Sequence, residues 1–384
     1  MRFRLTLSFI LILMTLLTGS VITAQDNEDP EAFPPDVVTE IQAEMDSLTE
    51  GTLPPGMVVW IDTPEYRFEG ASGLANLVDE TPMSPEDAFR IGSITKMFTA
   101  TVIVQLAEDG VLTLHDPLAL WLPDVAEQLP YGDQITLRHL LTHTSGLFNI
   151  VESEAYFVDL FTEATIDEDS GIMTLDCVQR DPNDTLARFV YGEDANFEPG
   201  TSWYYSNTNY TLLGMVIETA TEMPLAEAYR THIYEPLGME STFLDCYEDP
   251  LIDVVHGYTV SGDNLTDLTE LHESIGWSAG GLVSTASDLI AFARGLFGGT
   301  LFDDPESLVA MTTPAPGSTY GLGITIQGDY MGHAGYIAGF RSVLNYVPEF
   351  DTVVVMLYNN DAADPEQNLA DVLNPALSLQ DAEG

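Results

Sequence analysis

The chain has 384 residues, with 61 acidic side chains against 11 basic ones and a formal net charge of −50. Such a surface repels nucleic acid and anionic membranes and excludes both as partners of the folded domain. Apolar residues make up 45%, ample for a globular core, so the acid is a solvated shell and not a mark of disorder.

Arg2 and Arg4 precede an uncharged run from Leu5 to Gln25 that closes through Thr18-Gly19-Ser20 and Ala24. A basic start, an apolar middle and a small-residue end predict a secretory signal peptide over 1–24, cut near Ala24. The alternative is a retained anchor, since the run nearly spans a bilayer. No cysteine lies near the cleavage region, which excludes a lipoprotein anchor. The expected location is secreted, periplasmic or otherwise extracytoplasmic, with membrane attachment only if the leader is kept.

An acidic linker follows over 25–35. The spacing of Val37, Val38, Ile41, Met45 and Leu48 predicts a helix. Pro54-Pro55-Gly56 then turns the chain into a buried strand, Met57–Ile61, with a second strand, Tyr66–Ala71, starting an antiparallel sheet. Next comes Phe89–Ala100, which holds Ser93 and Lys96. Lys96 is the only lysine in the chain; the other ten basic residues are arginines. Met97–Glu108 is apolar and helix-forming, and Gly110 supplies a stop. Positions i and i+3 share a helix face, so the Ser93 hydroxyl and the Lys96 amine can meet. A serine becomes nucleophilic when a base takes its proton, and a buried lysine can be neutral enough to do so.

From His115 to Ile275 the pattern is helices, turns and long loops. Thr136–His143, Thr208–Glu222 and Leu225–Tyr234 read as helices, and the acidic stretch Glu163–Pro199 reads as loop. Strands return at Tyr320–Gln327, Phe340–Val347 and Thr352–Tyr358, before a helix over Pro365–Leu379. Strands at both ends of a helical middle predict an α/β (α+β) architecture, an antiparallel sheet flanked by helices with an inserted helical subdomain. The α/β part spans 36–114 and 276–360, the helical part 115–275, and a C-terminal helix with an acidic tail 361–384. Cys177 and Cys246 sit in an exported chain, where pairing is permitted but left open by the sequence.

Two later segments join Ser93-x-x-Lys96: Tyr205-Ser206-Asn207 just before a helix, and Gly332-His333-Ala334-Gly335 ahead of a strand. In this order the three motifs resemble the serine β-lactamase and penicillin-binding superfamily, whose signature is Ser-x-x-Lys, Ser/Tyr-x-Asn and Lys/His-Thr-Gly. The resemblance covers roughly residues 36–360 and includes the phrases Leu140–Gly146 and Gly280–Thr285. Tyr in the second motif is similar to the class C β-lactamase and D-alanyl-D-alanine carboxypeptidase branch, which also holds esterases and D-aminopeptidases. It implies that Ser93 attacks a carbonyl and forms an acyl-enzyme, with Lys96 and Tyr205 sharing the proton traffic and one lowering the other's pKa. Backbone N–H groups of Ser93 and Tyr336 would hold the oxyanion. Asn207 would orient Lys96 or the substrate amide, and Gly335 and His333 would line the cleft, His333 opposite Tyr205. Ala334 departs from the family pattern, which has a hydroxyl residue there for a substrate carboxylate. That tilts the expectation from β-lactams and D-Ala-D-Ala toward an esterase or a less specialised peptidase. Arg341 is a candidate replacement anchor, or a structural ion-pair partner.

The expected partner is a small-molecule or peptide acyl substrate, and no cofactor or metal is called for. His139 and His143 lie four apart but lack the His-Glu-x-x-His pattern and a third ligand, so they read as helix and cap residues. Gly276-Trp277-Ser278-Ala279-Gly280 matches a Gly-x-Ser-x-Gly elbow, yet the residues before it are polar and unlike a buried strand. The remaining alternative is a non-catalytic peptidoglycan-binding or sensor module on the same fold.

Overall fold

The computed structural model describes residues 30–50, 55–166, 172–261 and 264–383. The predicted signal peptide and residues 25–29 of the predicted linker lie outside the described residues, while the rest of that linker is structured, with a short strand at Glu31–Ala32 and a helix that begins at Pro35.

The principal sheet draws on both ends of the chain. Its main path comprises β1 (Glu31–Ala32), β2 (Gly56–Asp62), β3 (Tyr66–Asn76), β4 (Thr325–Gln327), β5 (Tyr330–Ile337), β6 (Phe340–Val347) and β7 (Thr352–Tyr358), and the two-residue strand Thr81–Pro82 pairs with β3 off this path. The path runs in the order β1-β3-β2-β7-β6-β5-β4, antiparallel except for β1 beside β3. The chain's two ends meet where β7 pairs with β2, Val355 opposite Trp60. Every residue of β2 and β7 is buried, because helices cover both faces of the sheet centre.

On one face Met57, Val59, Ile61, Val354 and Met356 pack with α1 (Pro35–Thr49) and α5 (Pro365–Glu383), through Ile41, Met45, Val372 and Leu373. On the other, Val58, Trp60, Val353 and Val355 join the larger core. That core surrounds α2 (Thr95–Glu108), which is buried from Thr95 to Val104. A helix apolar on all sides belongs at the centre of a large domain. The helices α3 (Asn207–Thr221) and α4 (Ala286–Phe297) pack in the same core.

A three-stranded sheet links the parts: Leu282–Thr285 lies between Ala88–Arg90 and Phe243–Leu244. It therefore joins residues from within the helical middle to the strand that leads into Ser93. Cys177 and Cys246 form a disulfide, which resolves the open pairing.

Three sequence expectations are corrected. Tyr320–Gln327 is a strand only over Thr325–Gln327, because Gly323 adopts φ +74° and turns the chain. The Gly332–Gly335 motif stands ahead of β6 but is itself part of a strand, β5, where none was expected. The stretch Glu163–Pro199 contains a helix, Pro182–Phe189, whose N-cap Asp181 accepts from Asn183 N and Asp184 N.

Candidate active site

Gly92 has φ +53° and begins a 3₁₀ turn, Gly92–Ile94, that leads into α2. A Cβ on Gly92 would sit 2.7 Å from Tyr336 N, and one on Gly335 would sit 2.0 Å from the Ile91 carbonyl oxygen. Glycine at both positions lets the Ser93 turn lie backbone against backbone on the edge of β5. Ser342 Oγ donates to the Ile91 carbonyl at 2.8 Å and fixes that contact. The β5–β6 hairpin closes on the pair Ile337–Phe340. The alternation of antiparallel bonds then directs the Tyr336 N–H away from β6, toward the Ser93 turn. The Ser93 N–H opens a helical turn and lacks an intrahelical partner. Two backbone donors thus flank the half-buried Ser93.

Lys96 is fully buried. Its Nζ lies 3.0 Å from Ser93 Oγ, 2.7 Å from Asn207 Oδ1 and 2.6 Å from the Ala279 carbonyl oxygen. No carboxylate is among these partners, and burial holds the amine well below its ordinary pKa of 10.5. A neutral amine has two N–H groups and one lone pair. The oxygens of Asn207 and Ala279 take the N–H groups, which leaves the lone pair for the Ser93 proton. Asn207 is held in that orientation by Asn149, whose Oδ1 accepts from Asn207 N at 3.0 Å and Nδ2 at 3.3 Å.

The half-buried Tyr205 hydrogen-bonds Ser93, and burial pushes its pKa above the ordinary 10.0. The sequence expectation that one of Lys96 and Tyr205 lowers the other's pKa is therefore corrected, since neither is among the causes of the other's shift. Desolvation is the leading cause for both and moves them apart, lowering the amine and raising the phenol.

His333 lies beside Tyr205, ring centres 6.2 Å apart, but it is only 5% exposed. Its Nδ1 faces the Ala334 carbonyl at 2.5 Å and must donate there, so Nε2 accepts from Tyr320 Oη at 2.9 Å. Burial drives its pKa down to about 3. Both ring nitrogens are engaged within the protein, so His333 supports the wall of the cleft and offers it no polar atom. Arg341 donates from Nε to the Asp361 carbonyl at 2.9 Å, and its guanidinium lies 4.1 Å from the centre of the Tyr336 ring. One N–H of this cation goes to a backbone carbonyl and its plane lies against an aromatic ring.

Ser278 is fully buried, and its Oγ donates to the Tyr210 carbonyl at 2.9 Å. The Gly-x-Ser-x-Gly match is thus a wall segment whose Ala279 carbonyl grips Lys96. His139 completes a capping box with Thr136 at the start of the helix Leu137–Leu141. Sequence reasoning missed Asn149 and Ala279. Asn149 follows the Leu140–Gly146 phrase with no motif of its own, and Ala279 acts through a carbonyl that no side-chain pattern marks.

The family model described as Beta-lactamase matches residues 41–376. The chain belongs to the β-lactamase family. Among relatives of this β-lactamase-family chain, penicillin-binding protein 4* of Bacillus subtilis is 28% identical over 85% of the chain and 73% of its own length. Esterase EstB of Burkholderia gladioli is 32% identical over 55% of the chain, which spans about half of that relative, 53%. A D-stereospecific amidohydrolase from Streptomyces superposes with a TM-score of 0.74 at 29% identity, covering 86% of this chain and 97% of that one. The fold is thus that of a serine-hydrolase family with esterase and amidohydrolase members.

Proposed function

We propose that the protein is an exported serine hydrolase that forms an acyl-enzyme on Ser93 from an uncharged ester or amide. The contact that carries this reading is the 3.0 Å approach of the buried Lys96 Nζ to Ser93 Oγ. As Ser93 attacks, its proton passes to Lys96, and the new oxyanion lies between the N–H groups of Ser93 and Tyr336. Tyr205, protonated, gives its proton to the leaving group and regains one from the Lys96 ammonium. Water then repeats the sequence to release the acid. Ala334 supplies no hydroxyl in the third motif, which favours substrates without a carboxylate at that end. Export fits the Cys177–Cys246 disulfide, which oxidising compartments permit. Among the described residues, no helix is long and apolar enough to cross a membrane.

The test uses p-nitrophenyl acetate and a D-amino acid amide as substrates, with intact mass after incubation with a penicillin. Expected are ester or amide turnover and its loss in Ser93→Ala. Turnover that survives Ser93→Ala would overturn the assignment. Absence of both turnover and adduct in the wild type would favour the non-catalytic module.

A further inference from the structure

The phrase Leu140–Gly146 stood out in the sequence, yet none of its side chains reaches Ser93 in the mechanism above. His143 at its centre is fully buried and takes φ +58°, a left-handed conformation that non-glycine residues seldom hold. It grips the chain on both sides of Tyr205. Its carbonyl accepts from Tyr204 N at 3.0 Å, and its Nδ1 accepts from Ser206 N at 3.2 Å. Asn209 Nδ2 approaches the same nitrogen at 3.0 Å. Ser145 Oγ donates to Asn209 Oδ1 at 2.6 Å, which turns the amide nitrogen toward the histidine.

Since Nδ1 faces only donors, the ring proton sits on Nε2. Nε2 is buried with no hydrogen-bond partner among the described residues. It lies within an aromatic nest: the ring is 4.3 Å from Tyr205, 4.7 Å from Tyr320 and 5.2 Å from Tyr210, centre to centre. The neighbouring carbonyls extend the grip, Thr144 accepting from Gly200 N and Gly146 from Asn196 N, both at 2.8 Å. The second-motif loop is thus laid along the turn that His143 begins.

We propose that His143 is a positioning residue for Tyr205: it fixes both flanking amides and one face of the ring, and so sets the phenol against Ser93. Its kinetic consequence rests on the hydrolase reading above; its structural consequence does not. An orphaned Nε2–H and a left-handed backbone are both unfavourable, and a residue needed only to fill space would incur neither.

The test compares His143→Phe, which keeps a ring but orphans Ser206 N–H and the Asn209 amide, with His143→Asn. Asparagine keeps an acceptor near the Nδ1 position and tolerates left-handed φ. On p-nitrophenyl acetate, His143→Phe is expected to lower kcat by about 10²-fold with KM little changed, as for a small misplacement of a reacting group. His143→Asn is expected to stay within about tenfold of wild type. In a Tyr205→Phe background, the added loss from His143→Phe should shrink to about twofold or less, since both changes act through one phenol. The turnover-independent readout is the ¹³Cζ NMR signal of Tyr205, assigned with Tyr205→Phe. It should move in His143→Phe and hold in His143→Asn. Should His143→Phe not accumulate, Asn209→Ala, which removes one donor from Nδ1, is read by the same signal. A wild-type kcat with an unmoved Tyr205 signal, or an undiminished loss in the Tyr205→Phe background, would overturn the proposal. A wild-type protein inert to ester would sink the hydrolase reading, and the NMR signal would still decide the role of His143.

Discussion

Lys96 has no counter-ion among its partners, and this sets both its protonation state and its effect on stability. Below pH 10.5 the unfolded chain binds a proton at this lysine that the folded protein rejects, so the wild type becomes more stable as pH rises toward 10.5. Lys96→Met removes that penalty. We expect a higher Tm for Lys96→Met by calorimetry at neutral pH, a gap that narrows as pH climbs, and ester turnover reduced by at least about 10³-fold. A lower Tm at neutral pH would mean that the amine is held charged. Lys96→Arg should be equally inactive, because a guanidinium stays protonated. At this scale the sequence was most legible where a side chain belongs to a motif. Ser93, Lys96, Tyr205 and Asn207 converge as their motifs implied. His333 and Arg341 were placed by motif or by charge alone, and their real partners, Tyr320 and the Asp361 carbonyl, are far away in sequence or belong to the backbone.

Elements were legible in proportion to how simple their burial is. β6 and β7 match their predicted spans because each is a dense run of apolar residues packed at the sheet centre. β5 was missed as a strand because Gly332 and Gly335 dilute its pattern, and those glycines serve contacts made with other segments. That makes β5 the sensitive element. A methyl group at Gly335 would meet the Ile91 carbonyl at 2.0 Å, so Gly335→Ala should push the strand off the Ser93 turn and withdraw the Tyr336 amide. The expected result is a kcat loss of about 10²–10³-fold, the usual effect of removing one oxyanion donor, with far-UV circular dichroism unchanged. Near-normal kcat in a folded Gly335→Ala protein would show that the Tyr336 amide is not used. The helix Pro182–Phe189 was hidden for another reason: it has only 8 residues inside an acidic stretch, so its amphipathic face is brief and its start is marked only by the Asp181 cap and Pro182 in the first turn.

At the scale of the whole molecule, the alternation of strands and helices foretold the joining of the chain's two ends, and β7 beside β2 realises it. The three-stranded sheet was not foretold, because a two-residue strand such as Phe243–Leu244 has no period to detect. A formal charge of −50 makes the folded state repel itself. Screening shortens from about 30 Å at 0.01 M salt to about 3 Å at 1 M, so Tm should climb steadily across that range of sodium chloride. A flat response would show that the acids are already neutralised within the shell. The single lysine has a chemical corollary as well. Apart from the α-amine, the protein has one primary amine, and it is fully buried beside Ser93. Amine-directed cross-linkers and reducing sugars therefore find almost nothing on its surface. A reagent small enough to enter the cleft would instead modify Lys96, and the stoichiometry of that modification would count working sites.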